Sequence, residues 1–161
     1  TTLYQSGARK IAIFTGKSRE GSPTHGRLEG YQKIWSDHNI AVDIYELPFE
    51  LTPNLKSMEI KSILKKNQYD GIFCSDDLTA IMTINLAKQL GINVPTDLKI
   101  VGYDGTTLIR DYFPDLTTIE QPLEDISSLL VSLLLKRISD ENCEFEKEYV
   151  LPIKLVKGTT A

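Results

Sequence analysis

The stretch YDGIFCSDDLTAIMTINLAKQLGINVPTDLKIVGYDG, residues 69–105, decides the fold of this 161-residue chain. Two short apolar runs, at 70–75 and 98–103, enclose a segment with helical spacing that an aspartate caps and Gly91 ends. Parallel strands need a helix-length connection between them. The order strand, helix, strand therefore predicts a parallel pair with a right-handed crossover.

The same alternation extends toward the N-terminus. Apolar runs at 10–15 and 41–47 predict two more strands, and Ser22 followed by Pro23 predicts the start of a helix over 23–38. The apolar side of a second helix, before residue 70, is predicted to consist of Leu55, Met58, Ile60, Ile63 and Leu64. We therefore predict the α/β class, with a doubly wound parallel sheet.

The C-terminal third departs from this alternation. Between Asp104 and Pro122 we expect little regular structure apart from a short extended segment, LTTIEQ, and Pro122 then opens a helix to about residue 139. A last strand, YVLPIKLV, is interrupted by Pro152, which is typical of a sheet edge. The helices at 77–90 and 123–138 are too apolar for burial on one side only, so each is expected to meet a second partner.

Composition argues against several kinds of protein. A formal charge of −4 and a pI near 5.2 argue against a nucleic-acid surface within these residues, and no apolar run approaches the roughly 18 residues of a membrane helix. Cys74 and Cys143 have neither metal-ligand spacing nor a disulfide framework, which favours a reducing cytoplasm. Dinucleotide, phosphate-loop and zinc motifs are lacking, so no cofactor and no metal are expected. Because the first residue is Thr1, we expect a fragment of a longer protein.

A basic residue, an aromatic residue and three carboxylates follow the predicted strands at their carboxyl ends, where open parallel sheets bind ligands. They are Arg27, Phe49, the pair Asp76 and Asp77, and Asp104. Carboxylates and a guanidinium hydrogen-bond sugar hydroxyls, and a ring stacks on the apolar face of a sugar, so the set suits a polyol. Alone, Arg27 is as compatible with a solvated helix and Phe49 with packing. One aspartate of the pair is expected to cap the following helix and the other to face the crevice.

Several motifs together resemble the effector domain of the LacI/GalR family of bacterial transcription repressors. They are R-x-x-G at 27–30, the paired Asp76 and Asp77 entering a helix, GINVPTDLKIVGYD at 91–104 and PDLTTIEQP at 114–122. The resemblance covers nearly the whole chain. It implies a periplasmic-binding-protein-like fold of type I, mainly its C-terminal subdomain. Within the family, GYDGTTLI is most similar to repressors of sucrose or related sugar operons.

The resemblance also implies a division of the chain and roles for individual residues. Residues 1–121 would form the effector-binding subdomain, 122–146 a crossover helix belonging to the N-terminal subdomain, and 147–161 a returning strand and tail. The positions implied to contact a mono- or disaccharide effector are Arg27, Phe49, Asp76, Asp104 and Gln121. Those implied to form a homodimer surface are Leu78, Ile81, Met82, Tyr112 and Phe113. Operator DNA would be bound only through an N-terminal helix-turn-helix outside this sequence.

Two other kinds of function stay open at this point. An extracytoplasmic sugar-binding protein of a transport system has the same fold, and residues before Thr1 would distinguish it from a repressor. An enzyme could instead hold a divalent metal with Asp76 and Asp77, and magnesium binding would reveal it.

Overall fold

The computed structural model describes residues 2–47 and 51–161 and confirms the α/β class. In chain order the elements are α1 (Thr2–Gln5), β1 (Ile11–Thr15), α2 (Pro23–Asp37), β2 (Val42–Glu46), α3 (Pro53–Lys66), β3 (Gly71–Cys74), α4 (Asp77–Gln89), β4 (Lys99–Asp104), α5 (Thr107–Tyr112), β5 (Thr118–Glu120), α6 (Leu123–Ser139) and β6 (Lys154–Val156). The four strands and the helices α2, α3, α4 and α6 predicted from periodicity all form. Their bounds differ from the predicted ones by a residue or two.

The strands form one sheet in the order β2-β1-β3-β4-β5-β6. All neighbours pair in parallel except β5 and β6, which are antiparallel. The chain leaves β1 toward β2 and leaves β3 toward β4, so the winding direction reverses between β1 and β3. The crevice for a ligand is expected outside the carboxyl ends of these two strands.

Helices cover both faces of the sheet, and alternate residues of β1 therefore belong to different cores. Ile11 and Ile13 pack with α2 through Tyr31 and Trp35. Ala12 and Phe14 belong to the other core, which α3 and α4 complete. Successive side chains of a strand point to opposite faces, so this division shows the doubly wound arrangement directly.

Local capping explains where these helices begin. The side chain of Ser22 accepts a hydrogen bond from the backbone N–H of His25, with Pro23 in the first turn of α2. The side chain of Thr52 accepts one from the N–H of Leu55 at the start of α3. Each cap satisfies one of the backbone donors that a helix start leaves unpaired. The two caps therefore set the first residues of α2 and α3.

Three expectations about local structure were wrong. The segment after Asp104 contains the helix α5, which Thr106 caps by accepting from the N–H of Ile109. Leu55 and Met58 do not lie on the buried side of α3: they are exposed, and the buried residues of that helix are Ile60, Ile63 and Leu64. The last strand is not interrupted by Pro152; it begins after it, and it forms the predicted edge beside β5.

No side chain of the helix α6 is fully buried against the rest of the described chain. Its exposed apolar residues are Leu123, Leu130, Val131, Leu134, Leu135 and Ile138. A helix that leaves so much apolar surface in water is expected to pack against something else. Among residues 2–47 and 51–161, no helix is both long enough and apolar enough to span a membrane.

Candidate effector-binding site

Arg27 reaches from the first turns of α2 across the carboxyl ends of β3 and β4. Its Nη1 donates a hydrogen bond of 3.1 Å to the backbone carbonyl of Ser75, just after β3. Its guanidinium carbon lies 4.1 Å from the centre of the Tyr103 ring, in β4. A guanidinium that stacks on an aromatic ring and binds a carbonyl is held in one orientation with donors left for a ligand. Arg27 therefore lies at this rim, and its contact with an effector stays a prediction.

Asp104 ends β4 at the same rim, and Gln121 contacts it. The Nε2 of Gln121 donates to Oδ1 of Asp104 at 2.8 Å, and the Gln121 backbone N–H donates to the Asp104 carbonyl at 3.1 Å. Asp104 has a φ of 117°, a value that side-chain-bearing residues rarely adopt. Such backbone strain is concentrated at functional sites, where the surrounding structure maintains it.

The electrostatic surroundings of Asp104 connect it to Arg27. Burial raises the pKa of the Asp104 carboxyl above its usual range, while the Arg27 charge and the Gln121 hydrogen bond counteract part of that increase. Asp76 acts on the same group and adds to the rise. The fold therefore brings Arg27, Asp104 and Gln121, which are far apart in sequence, into one half-buried cluster beside Asp76.

Asp76 is the aspartate that caps α4. Its Oδ1 accepts from the backbone N–H of Thr79 and its Oδ2 from the Thr79 hydroxyl, both at 2.7 Å. The Lys56 ammonium lies 4.0 Å from Oδ2. Asp76 is only half-buried and lies at the rim, so its predicted contact with an effector stays a prediction.

Asp77 does not face the crevice, contrary to expectation. Its side chain is 2% exposed and turns into the interior between α4 and the sheet. There it accepts hydrogen bonds from the Gly105 N–H at 2.8 Å and from the Thr118 hydroxyl at 2.5 Å. Asp76 is the N-cap and Asp77 the first residue of α4, and the first turn of the helix directs the Asp77 carboxylate inward.

The remaining predicted residues are the stacking residue Phe49 and the five residues of the predicted dimer surface. Phe49 lies outside the described residues. Leu78 and Tyr112 are 71% and 74% exposed, and Phe113 is exposed as well. Ile81 and Met82 are half-buried against the core under α4. Ile81, Tyr112 and Phe113 border one shallow depression, so α4 and the end of α5 do form a common apolar surface.

Two residues with a place in these arrangements were not predicted. Tyr103 supports Arg27, and its position directly before Asp104 at a strand end was an available signal. Leu108 is two-thirds exposed on α5 and lies four residues before Tyr112, on the same face of that helix, but it could not be placed there without α5. In the part of the chain that the structure describes, no group of three or more His, Cys, Asp or Glu side chains could hold a metal ion.

Comparison with known proteins agrees with this geometry. The family model of the periplasmic binding protein-like domain matches residues 1–161. The sucrose operon repressor of Pediococcus pentosaceus is 61% identical over 160 residues, which are 99% of this chain and 49% of that protein. The sucrose operon repressor of Lactococcus lactis subsp. lactis is 43% identical over 156 residues, which are 97% of this chain and 47% of that protein.

A solved structure supports the same assignment. A periplasmic binding protein/LacI transcriptional regulator from Alkaliphilus metalliredigens QYMF, complexed with D-xylulofuranose, is 28% identical and has a TM-score of 0.80, with 99% of this chain and 60% of that chain covered. The chain spans about half the length of the curated relatives it matches. The resemblance to the LacI/GalR effector domain is confirmed, and the chain belongs to the family of periplasmic binding protein-like domains.

Proposed function

We propose that this chain is the effector-binding and dimerisation part of a LacI-type transcription regulator of carbohydrate use that works in the cytoplasm. The observation that carries the proposal is the cluster of Arg27, Asp104 and Gln121 at the carboxyl ends of β3, β4 and β5, beside the reversal point of the sheet. The identity to two sucrose operon repressors favours a mono- or disaccharide of the sucrose type as the effector.

The cluster has the chemistry that a sugar requires. The Asp104 carboxylate accepts hydrogen bonds from hydroxyl groups, and the guanidinium of Arg27 donates them to hydroxyl or ring oxygens. Gln121 supplies a third polar group and orients the carboxylate through its hydrogen bond. Asp76 extends the acceptor surface along the rim, and Phe49 would provide the stacking ring. These residues bind and orient a ligand, and no covalent step is proposed for them.

The regulatory mechanism requires a second body that moves against this one. We assign residues 1–121 to the effector-binding subdomain and 122–146 to a crossover helix that packs on the N-terminal subdomain, because α6 leaves its apolar residues exposed here. Residues 147–161 return to the sheet through β6, and the Thr160 hydroxyl anchors them by donating to the Ile100 carbonyl at 2.7 Å. A sugar bound between the subdomains would favour one degree of closure.

A dimer would transmit that closure to operator DNA. We propose that Leu78, Ile81, Met82, Tyr112 and Phe113 form the subunit contact. Ile81, Tyr112 and Phe113 border one depression, and Leu78 leaves most of its apolar side chain exposed on the same helix as Ile81. Operator DNA would be bound only by an N-terminal helix-turn-helix, because the acidic charge of these residues does not favour phosphate contacts. The effector must bind the two states of the dimer with different affinity for any effect on DNA binding.

Calorimetric titration of the full-length protein with sucrose, fructose, ribose and galactosides tests the proposal. Saturable heat from one sugar is expected. Asp104→Ala should weaken the binding of that sugar by about 10- to 150-fold, because one hydrogen bond to a charged group is lost. Asp37→Ala is the matched control, since this exposed aspartate lies at the far end of α2 and its variant should bind normally.

Three results would contradict parts of the proposal. No heat from any sugar, with the protein folded, would reject the sugar effector. Equal affinity of the Asp104→Ala variant would reject the site. Sugar binding without any sugar-dependent change in operator affinity, measured by fluorescence anisotropy, would reject regulation in favour of a sugar-binding protein of a transport system.

A further inference from the structure

Asp77 connects the first turn of α4 to two separate parts of the sheet. Its carboxylate accepts from the Gly105 N–H, in the turn after β4, and from the Thr118 hydroxyl, in β5. The side chain is almost fully buried, and burying a carboxylate is costly unless hydrogen bonds satisfy it. Both bonds are therefore strong determinants of where these segments lie.

The glycines of VGYDG show how closely the carboxylate approaches the sheet. A Cβ atom at Gly102 would collide with Oδ1 of Asp77, so β4 has room for this carboxylate only because residue 102 has no side chain. Gly105 has a φ of 58°, and a Cβ there would lie 2.5 Å from the Cα of Glu120. The turn that follows Asp104 is thus confined by β5 on one side and by Asp77 on the other.

This turn determines the position of Asp104, the candidate sugar-binding residue. Asp104 directly precedes Gly105 and has the strained φ of 117°, which the isolated chain would not favour. The Gln121 side chain holds the Asp104 carboxylate, and Gln121 follows β5, to which Thr118 belongs. A single buried carboxylate thereby fixes both Asp104 and the strand that leads to its hydrogen-bond partner.

We propose that Asp77 is a positioning residue of the sugar site, which holds the Asp104–Gly105 turn and β5 together so that Asp104 and Gln121 meet the effector in one geometry. The proposal deepens the proposed function and rests on it for the affinity of the sugar. Its geometric part, the control of the turn, does not depend on any ligand.

Substitutions at Asp77 and Thr118 separate positioning from general stability. Asp77→Asn keeps the shape, but its amide has only one acceptor oxygen and directs an NH₂ donor at one of the two N–H or O–H donors. Thr118→Val removes the hydroxyl at nearly constant volume, and Thr118→Ser retains it. Thr83→Val is the matched control, because Thr83 is a fully buried hydroxyl of the same helix that donates to the Thr79 carbonyl at 2.7 Å.

Two readouts in the full-length protein decide the matter: hydrogen exchange of the Gly105 amide without sugar, and the dissociation constant of the sugar. Asp77→Asn and Thr118→Val should each accelerate Gly105 exchange at least about tenfold and weaken sugar binding at least about fivefold, as expected for one lost buried hydrogen bond. Thr118→Ser should restore both properties. Thr83→Val should lower the melting temperature without changing either readout.

Unchanged Gly105 exchange in Asp77→Asn would overturn the proposal. So would a loss of sugar affinity in Thr83→Val equal to that in Thr118→Val, since general destabilisation would then account for the effect. If the unsubstituted protein binds no sugar, the proposed function fails on its own. The exchange of Gly105 then decides alone whether Asp77 controls the turn.

Discussion

Asp76 has a structural role that is visible and a binding role that is predicted, and two substitutions separate them. Asp76→Ala removes the acceptor for the Thr79 N–H, and loss of such a cap costs about 1 kcal/mol. The Thr79 hydroxyl, which is buried, loses its acceptor too, at a further cost of about 1 kcal/mol. The expected decrease in the free energy of unfolding is therefore about 2 kcal/mol.

Asp76→Ser keeps an N-cap oxygen of comparable quality but removes the charge. Its decrease in unfolding free energy should be about 1.5 kcal/mol, because about 0.5 kcal/mol is lost with the charge at the helix start and about 1 kcal/mol with the second oxygen, which accepts from the Thr79 hydroxyl. If Asp76 also accepts a hydrogen bond from the sugar, both variants should weaken sugar binding by about 10- to 150-fold. Urea unfolding measures the first quantity and calorimetry the second.

The outcomes for Asp76 discriminate sharply between the two roles. Normal sugar affinity in Asp76→Ser would remove Asp76 from the binding site and leave it as a cap only. Equal stability of the serine and alanine variants would refute the capping argument itself.

Three further predictions concern other parts of the molecule. Burial raises the pKa of Asp104 despite the nearby Arg27 charge, so on acidification sugar affinity should begin to fall at a higher pH than it would with an ordinary aspartate. Calorimetry between neutral and mildly acidic pH should show that Asp104→Asn abolishes this dependence, and the same pH profile in the variant and the unsubstituted protein would contradict the prediction. In the same titrations Arg27→Lys should weaken sugar binding nearly as much as Arg27→Ala, because an ammonium does not reproduce the planar stacking on Tyr103. Full affinity in the lysine variant would show that the positive charge alone suffices. In urea unfolding, Ile60→Ala should lower the unfolding free energy by about 2 to 5 kcal/mol and Met58→Ala by no more than about 0.5 kcal/mol. The Ile60 side chain is fully buried and the Met58 side chain 68% exposed, so similar losses in the two variants would contradict the orientation of α3.

The elements that could be predicted were those with a strong local signal. The strands and long helices follow from hydrophobic periodicity and from caps such as Ser22, which act within a few residues. The helix α5 was missed because it has only six residues, although its cap, Thr106, is a local signal of the same kind. Met58 was misplaced because periodicity identifies an apolar stripe without showing how far the neighbouring sheet extends along it.

The candidate site was predicted in part, for a physical reason. Ligands bind beyond the carboxyl ends of parallel strands, and this rule is enough to assign Arg27 and Asp104 to one rim from their places in the chain. Tyr103, which holds Arg27, was not identified, since its contact joins α2 to β4 across the chain. Its place next to Asp104 indicated a residue near the rim, but its contact with Arg27 depends on how the helix lies on the sheet, which no spacing in the sequence records.

The pair Asp76 and Asp77 shows what the sequence determines and what the tertiary structure decides. The sequence by itself determined that one aspartate would cap α4, because capping depends only on a short side chain and the backbone N–H groups of the next turn. Only the tertiary structure decided the fate of the other, because Asp77 meets Gly105 and Thr118, which lie 28 and 41 residues further along the chain. A carboxylate is buried when distant donors converge on it, and that convergence exists only once the sheet has formed.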